Sequence, residues 1–232
     1  MKTICEYLLK SRSTGQNSMR FQPNDIDELR ANIHEVIMEH VDGSKLPKDI
    51  VNLNCIDTSN ITTFYRLFNC KQRPSLFDNP ECFVFDTAEQ QYGINFDISE
   101  WDVSSVLSFS FAFAYCASFN CDIGGWDVSN VQTMTRAFMD CRSFDCDLSG
   151  WDTRSLRKAE YMLKNCSKFN SPINWEHIEN VVTLQGMLYD AITFNRDLSS
   201  WEIPNYVNTL DMLRDTPIEN TYSKHPKLVG MV

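Results

Sequence analysis

Apolar and polar positions along this chain follow short local periods nested inside a longer one. Val131, Met134 and Phe138 stand at i, i+3 and i+7, the apolar stripe of a short helix. Ser129, just before Asn130 and Val131, can act as its N-cap, because a hydroxyl there accepts an orphan backbone N–H. Downstream, Phe144, Cys146 and Leu148 alternate with Asp145 and Asp147, the period of a half-buried strand. Ser149 and Gly150 then turn the chain toward Trp151. The predicted unit is a tryptophan turn, a short helix, a loop and a short strand.

That unit recurs. Trp101, Trp126, Trp151, Trp175 and Trp201 are separated by 25, 25, 24 and 26 residues, and each is followed by an acid (Asp102, Asp127, Asp152, Glu176, Glu202). Before them runs a shared phrase: Ile94-Asn95-Phe96-Asp97-Ile98, Phe119-Asn120-Cys121-Asp122-Ile123, Phe144-Asp145-Cys146-Asp147-Leu148, Phe169-Asn170-Ser171-Pro172-Ile173 and Phe194-Asn195-Arg196-Asp197-Leu198. A tryptophan-free copy begins at Ile56-Asp57-Thr58-Ser59 and includes Phe64 and Phe68, and residues 71–91 read as an insertion. Past Trp201 the pattern decays, with Pro204 and Pro217, as terminal units of an array do. Near the N-terminus, Ile26, Leu29, Ile33 and Ile37 predict a helix from about Asn24 to Val41 that caps the first turn; a partner-docking helix is the alternative.

One unit cannot bury its own apolar face, whereas stacked units can, with neighbouring strands about 4.8 Å apart. The expected fold is therefore an α/β solenoid, with one short strand and one short helix per turn and an N-terminal helical cap. Its core would hold Trp101, Trp126, Trp151, Trp175, Trp201, Phe113, Phe119, Phe138, Phe144, Phe169 and Phe194. The chain divides into a tail (1–19), a helical capping region (20–54), a first unit with its insertion (55–93), the main units (94–217) and a C-terminal tail (218–232).

Charge narrows the choice of partner. A formal net charge of -10 over 232 residues argues against a general nucleic-acid binder, which needs basic patches. The chain has no apolar run of about 18 residues, so membrane insertion is not expected. Residues 1–10 are too short and too charged for a secretory core, which favours an intracellular or virion setting over the cell surface.

The repeated polar columns are the candidate chemistry. Asn95, Asp97, Asn120, Asp122, Asp145, Asp147, Asn195 and Asp197 alternate with inward residues and form the expected binding face. Like charges held about 5 Å apart repel, so the column suits solvent, a basic partner or a cation. Calcium would need more converging oxygens than one column supplies, and a glycosidase-type acid pair has only the carboxylates in its favour. The Asp after each Trp suits an Asx-turn. Cys116, Cys141 and Cys166, and Cys121 and Cys146, form columns read as buried thiols, with a disulfide ladder as the alternative. Without a Cys-x-x-Cys pair zinc has no support, and no metal or other cofactor is expected. His34, His40, His177 and His225 do not repeat, and neither a phosphate-binding loop nor a nucleophile elbow is present, so no catalytic residue is assigned.

The phrase Phe-Asn-x-Asp-Ile-x-x-Trp-Asp-Val-Ser-x-Val, clearest from Phe119 to Val131, with Phe138-Met139-Asp140-Cys141-Arg142-Ser143-Phe144, resembles the BspA-type leucine-rich repeat surface proteins. Residues 20–29 and 53–59 are similar to the entry module of such arrays. The resemblance covers roughly residues 20 to 216. It implies a leucine-rich-repeat-like solenoid used for adhesion or protein binding, and no catalytic residues. The expected function is a non-enzymatic protein-binding module. A structural part of a virion or other large assembly is the alternative, and a glycan-acting enzyme a distant third.

Overall fold

A computed structural model describes residues 21–39, 50–68 and 96–229. The tail at 1–19, the insertion at 71–91, Asn95 and His40 lie outside these. Helix α1, Ile26–Glu39, opens where the Asp25 carboxylate accepts the N–H groups of Asp27 and Glu28, both at 2.9 Å, while Glu28 reaches back to the Asn24 N–H. Its stripe of Leu29, Ile33 and Ile37 is buried in the same core as Val51, Leu53 and Phe64.

The leucine-rich-repeat-like α/β solenoid, with a helix and a strand in every turn, is not what this chain adopts. Among the described residues α1 is the single α-helix. Regular strands are confined to two short parallel pairs: β1 (Val51–Asn52) with β2 (Phe96–Asp97), and β3 (Glu202–Pro204) with β4 (Lys227–Val229). The helix expected over 131–138 is a succession of turns, with Arg136 and Asp140 in the left-handed region at φ 56° and 63°. A residue there cannot continue a right-handed helix or an extended strand. The equivalent positions elsewhere behave alike: Phe111 and Tyr115, then Tyr161 and Asn165.

Backbone groups are satisfied in another way. Met134, Arg136, Phe138 and Asp140 donate to the carbonyls of Lys158, Glu160, Met162 and Lys164 in the next unit. Between them, Ala137, Met139 and Cys141 close tight turns onto Met134, Arg136 and Phe138. Single parallel bridges link Thr63, Ser108, Thr133, Lys158, Thr183 and Asn208 in order, the last five 25 residues apart. The expected strand at Phe144–Leu148 keeps its alternating burial but forms no ladder, since the Phe144 N–H turns back to Cys141 and the Asp145 N–H goes to a side chain.

Rings fill the interior. Phe138 stacks on Phe144 at 4.5 Å and on Phe113 at 5.2 Å, and Phe144, Phe169 and Phe194 continue the pile at 5.9 and 5.8 Å. Each ring is essentially fully buried, which contributes about 1.5–3 kcal/mol apiece against exposure. Beside them the tryptophans form a second column. Trp101, Trp126, Trp151 and Trp175 donate their indole N–H to the carbonyls of Leu53, Ile98, Ile123 and Leu148.

The 24-residue unit disturbs this pattern. Other tryptophan amides bond the carbonyl three residues back, but the Trp175 amide bonds Ile173, two back. The Ile98, Ile123 and Leu148 carbonyls each accept both an amide and the next indole, yet among the described residues Ile173 accepts only the amide. Trp201 is left 2% exposed with its Nε1 lacking any partner among the described residues. After Ile218, where a tail was expected, the chain returns as β4 beside β3.

Candidate binding surfaces

The expected binding face consists of two interleaved columns that the fold uses differently. In the first, Asn120 Oδ1 accepts the Asp145 N–H at 2.8 Å, Asp145 accepts that of Asn170 at 2.8 Å, and Asn170 accepts that of Asn195 at 2.9 Å. Lys224 Nζ closes the series on Asn195 Oδ1 at 2.7 Å. These side chains fasten each unit to the next.

In the second, Asp97, Asp122, Asp147 and Asp197 each accept the backbone N–H two residues on, forming Asx-turns. Asp122, Asp147 and Asp197 are exposed and Asp97 is half-buried. Ser149 and Ser199, bonding through side chain and backbone, hold the Asp147 and Asp197 carboxyls below their usual range. At Asp97 burial pushes upward, but hydrogen bonds from Ser99, Asn54 and Cys121 outweigh it and the net shift is down. Asp102, Asp127 and Asp152, following the tryptophans, make the same turn. Near Asp197 the surface opens into a cleft of about 710 Å³ whose walls include Asn174, Glu176, Glu179, Asp197 and Glu202.

The cysteine columns lie inside. Cys116, Cys141 and Cys166 are buried thiols that donate to the carbonyls of Phe68, Phe113 and Phe138, each at 3.0 Å. Cys121 and Cys146 are free, and burial pushes their thiols up to about 12 and about 11. Cys55, outside both columns, is disulfide-bonded. His177 faces Glu179 at 3.5 Å on the surface, and His225 Nε2 lies 2.8 Å from the Ile218 carbonyl. Among the described residues no three His, Cys, Asp or Glu side chains gather as a metal site, and no helix is long and apolar enough to cross a membrane.

A further strip escaped the sequence reading. Arg136 lies over the rings of Phe111 and Tyr161, at 5.2 and 5.4 Å. Lys164 lies over Tyr161 at 5.7 Å and Tyr189 at 4.4 Å. Arg66 precedes them over Phe111, and Arg214 follows over Tyr189, both at 5.4 Å. Cations and rings therefore alternate from unit to unit. Gly186, at φ 58°, makes the sideways step possible, because the Tyr161 ring lies where a Cβ on residue 186 would be. The available signal was the column Arg66, Phe111, Arg136, Tyr161, which appears only once the units are superposed.

No functionally curated protein and no solved structure matches the chain. A family model described as "Mycoplasma protein of unknown function, DUF285" matches residues 38–175, 81–201 and 164–224 in overlapping registers, as a periodic sequence does. The chain belongs to this family.

Proposed function

We propose that the protein is a non-enzymatic binding module that presents a periodic acidic surface to a protein partner. The observation that carries this reading is the row of exposed carboxylates at Asp122, Asp147 and Asp197. Each is oriented by its own Asx-turn, and they keep a 25-residue period in which Pro172 takes one place. Each carboxylate is fixed in direction by its backbone bond and by a side-chain donor, Cys146 at Asp122, Ser149 at Asp147 and Ser199 at Asp197, while the side chain stays exposed. A basic protein segment complements such a row, and fixed charges lose little freedom when it docks. The cleft beside Asp197 extends the acidic surface with Glu176, Glu179 and Glu202. The BspA-type resemblance agrees with an adhesive or protein-binding role.

The test is affinity capture from the native source with the wild-type chain and with Asp122→Asn, Asp147→Asn and Asp197→Asn combined. Asn retains the turn-forming oxygen and removes only the charge, so folding should be preserved. Loss of a captured partner with an unchanged melting temperature is the expected result. Equal capture by both chains rejects the acidic surface, and co-elution of a fixed set of structural proteins in a large particle replaces this reading with an assembly component.

A further inference from the structure

We propose that the strip around Tyr161 is a second recognition site, built to take carboxylates from an acidic protein segment through Arg136 and Lys164. It does not depend on the acidic row. In this chain of net charge -10, the described residues pair Arg30, Arg154 and Arg214 with carboxylates, Arg214 with two, Asp211 and Asp215, both at 3.6 Å. Arg136 and Lys164 take none: among the described residues neither has an ion-pair partner or a side-chain hydrogen bond, although both are half-buried. They are held instead by rings, Arg136 between Phe111 and Tyr161, and Lys164 between Tyr161 and Tyr189. The flanking rings hold the Arg136 guanidinium, and its N–H groups, without a partner among the described residues, can meet a carboxylate in the bidentate geometry. Ring contacts also restrict the lysine stem, so less entropy remains to be lost on binding.

The geometry selects the partner. Arg136 and Lys164 approach the same ring from adjacent units. An extended peptide with acids at alternate positions presents carboxylates about 7 Å apart on one side. Single-stranded nucleic acid binds through bases stacked on open aromatic faces, and here Phe111, Tyr161 and Tyr189 each already carry two cations. Discrete carboxylates fit this strip better than a stacked polyphosphate chain.

The experiment uses the full chain and a fluorescein-labelled Glu-Ser alternating decapeptide, followed by anisotropy. Saturable binding is expected at low salt, falling about tenfold as screening rises toward physiological strength and beyond. Arg136→Gln with Lys164→Gln should weaken it by about tenfold, while Lys164→Arg alone stays within about threefold, since charge and ring contact persist and the Arg136 fork is untouched. A carbodiimide applied to the wild-type complex should join Lys164 Nζ to a peptide carboxylate as an amide, the lost water passing to the carbodiimide as urea. Mass spectrometry would then find Lys164 as the principal joined lysine, ahead of Lys158 and Lys168. Absence of low-salt binding, equal affinity in the Gln variant, cross-linking centred elsewhere, or tighter binding of an oligouridylate of equal charge would each overturn the proposal. The cross-link is read on the unaltered chain, so it decides even if the Gln variant fails to fold.

Discussion

Replacing Gly186 by alanine isolates the contact on which the cation–ring strip turns. Its φ of 58° by itself is a modest obstacle, because Arg136, Tyr161 and Asp211 occupy the equivalent position at 56°, 53° and 55°. An alanine there costs about 1–2 kcal/mol in left-handed strain. The larger effect comes from the new Cβ, which would stand 2.5 Å from Tyr161 Cδ1 and closer still to Cε1. The ring must leave, taking with it the Gln185 Nε2 to Tyr161 Oη hydrogen bond at 3.0 Å and two cation contacts. The bond contributes about 1 kcal/mol and each cation contact about 0.5–1 kcal/mol. Gly186→Ala should therefore destabilise by about 3–5 kcal/mol, whereas in a Tyr161→Ala background the same change should cost only the strain of about 1–2 kcal/mol. Urea titrations of the four chains, followed by the fluorescence of the buried tryptophans, give the coupling directly. An equal cost in both backgrounds would refute the assignment of Gly186 as the seat of the Tyr161 ring.

Two further outcomes follow from the tryptophan and cysteine columns. Trp151→Phe removes a buried N–H bonded to the Ile123 carbonyl and should cost about 1 kcal/mol more than Trp201→Phe, whose Nε1 has no partner among the described residues; the comparison fails if Trp201→Phe is as damaging. With folded pKa values near 12 and 11 against an ordinary 9, Cys121 and Cys146 retain protons that the unfolded chain releases. Their contribution is complete below pH 9 and declines as pH rises from 9 toward those values, so a urea midpoint that stays level from pH 8.5 to pH 11 would contradict it.

The period of the chain was legible because large rings at fixed intervals leave few ways to pack: every Trp and the stacked Phe residues are buried where the repeated phrase put them. Helix α1 was legible too, since Asp25, Glu28 and the Leu29-Ile33-Ile37 stripe are local signals. The conformation inside each unit was not. Left-handed positions are normally marked by Gly or Asn, but here Arg66, Phe111, Arg136 and Tyr161 occupy them, held by bonds to the next unit that no local pattern reveals. Val131, Met134 and Phe138 imitate a helical stripe because successive tight turns also bring every third or fourth side chain inward. In the candidate face, the outward polarity of Asn120 and Asp145 could be read, but their bonds to the following unit's amides depend on register between units.

The unequal tryptophan spacings also determine how such a molecule can change length. The unit ending at Trp175 is one residue short and the next is one residue long, so Phe169 and Phe194, and Lys158, Thr183 and Asn208, return to step. A single deletion is thus a phase error, confined to one unit and marked by the orphaned indole of Trp201. Uncorrected, it would move every later Asn, Trp and Phe away from its partner. Growth or loss of a whole unit carries no such error: a second copy of residues 126–150 would bring an acceptor for each neighbouring donor and a donor for each neighbouring acceptor. Length can therefore change by whole units with the backbone in phase, although a doubled 126–150 unit would set two Arg136 side chains in succession where cation and ring now alternate.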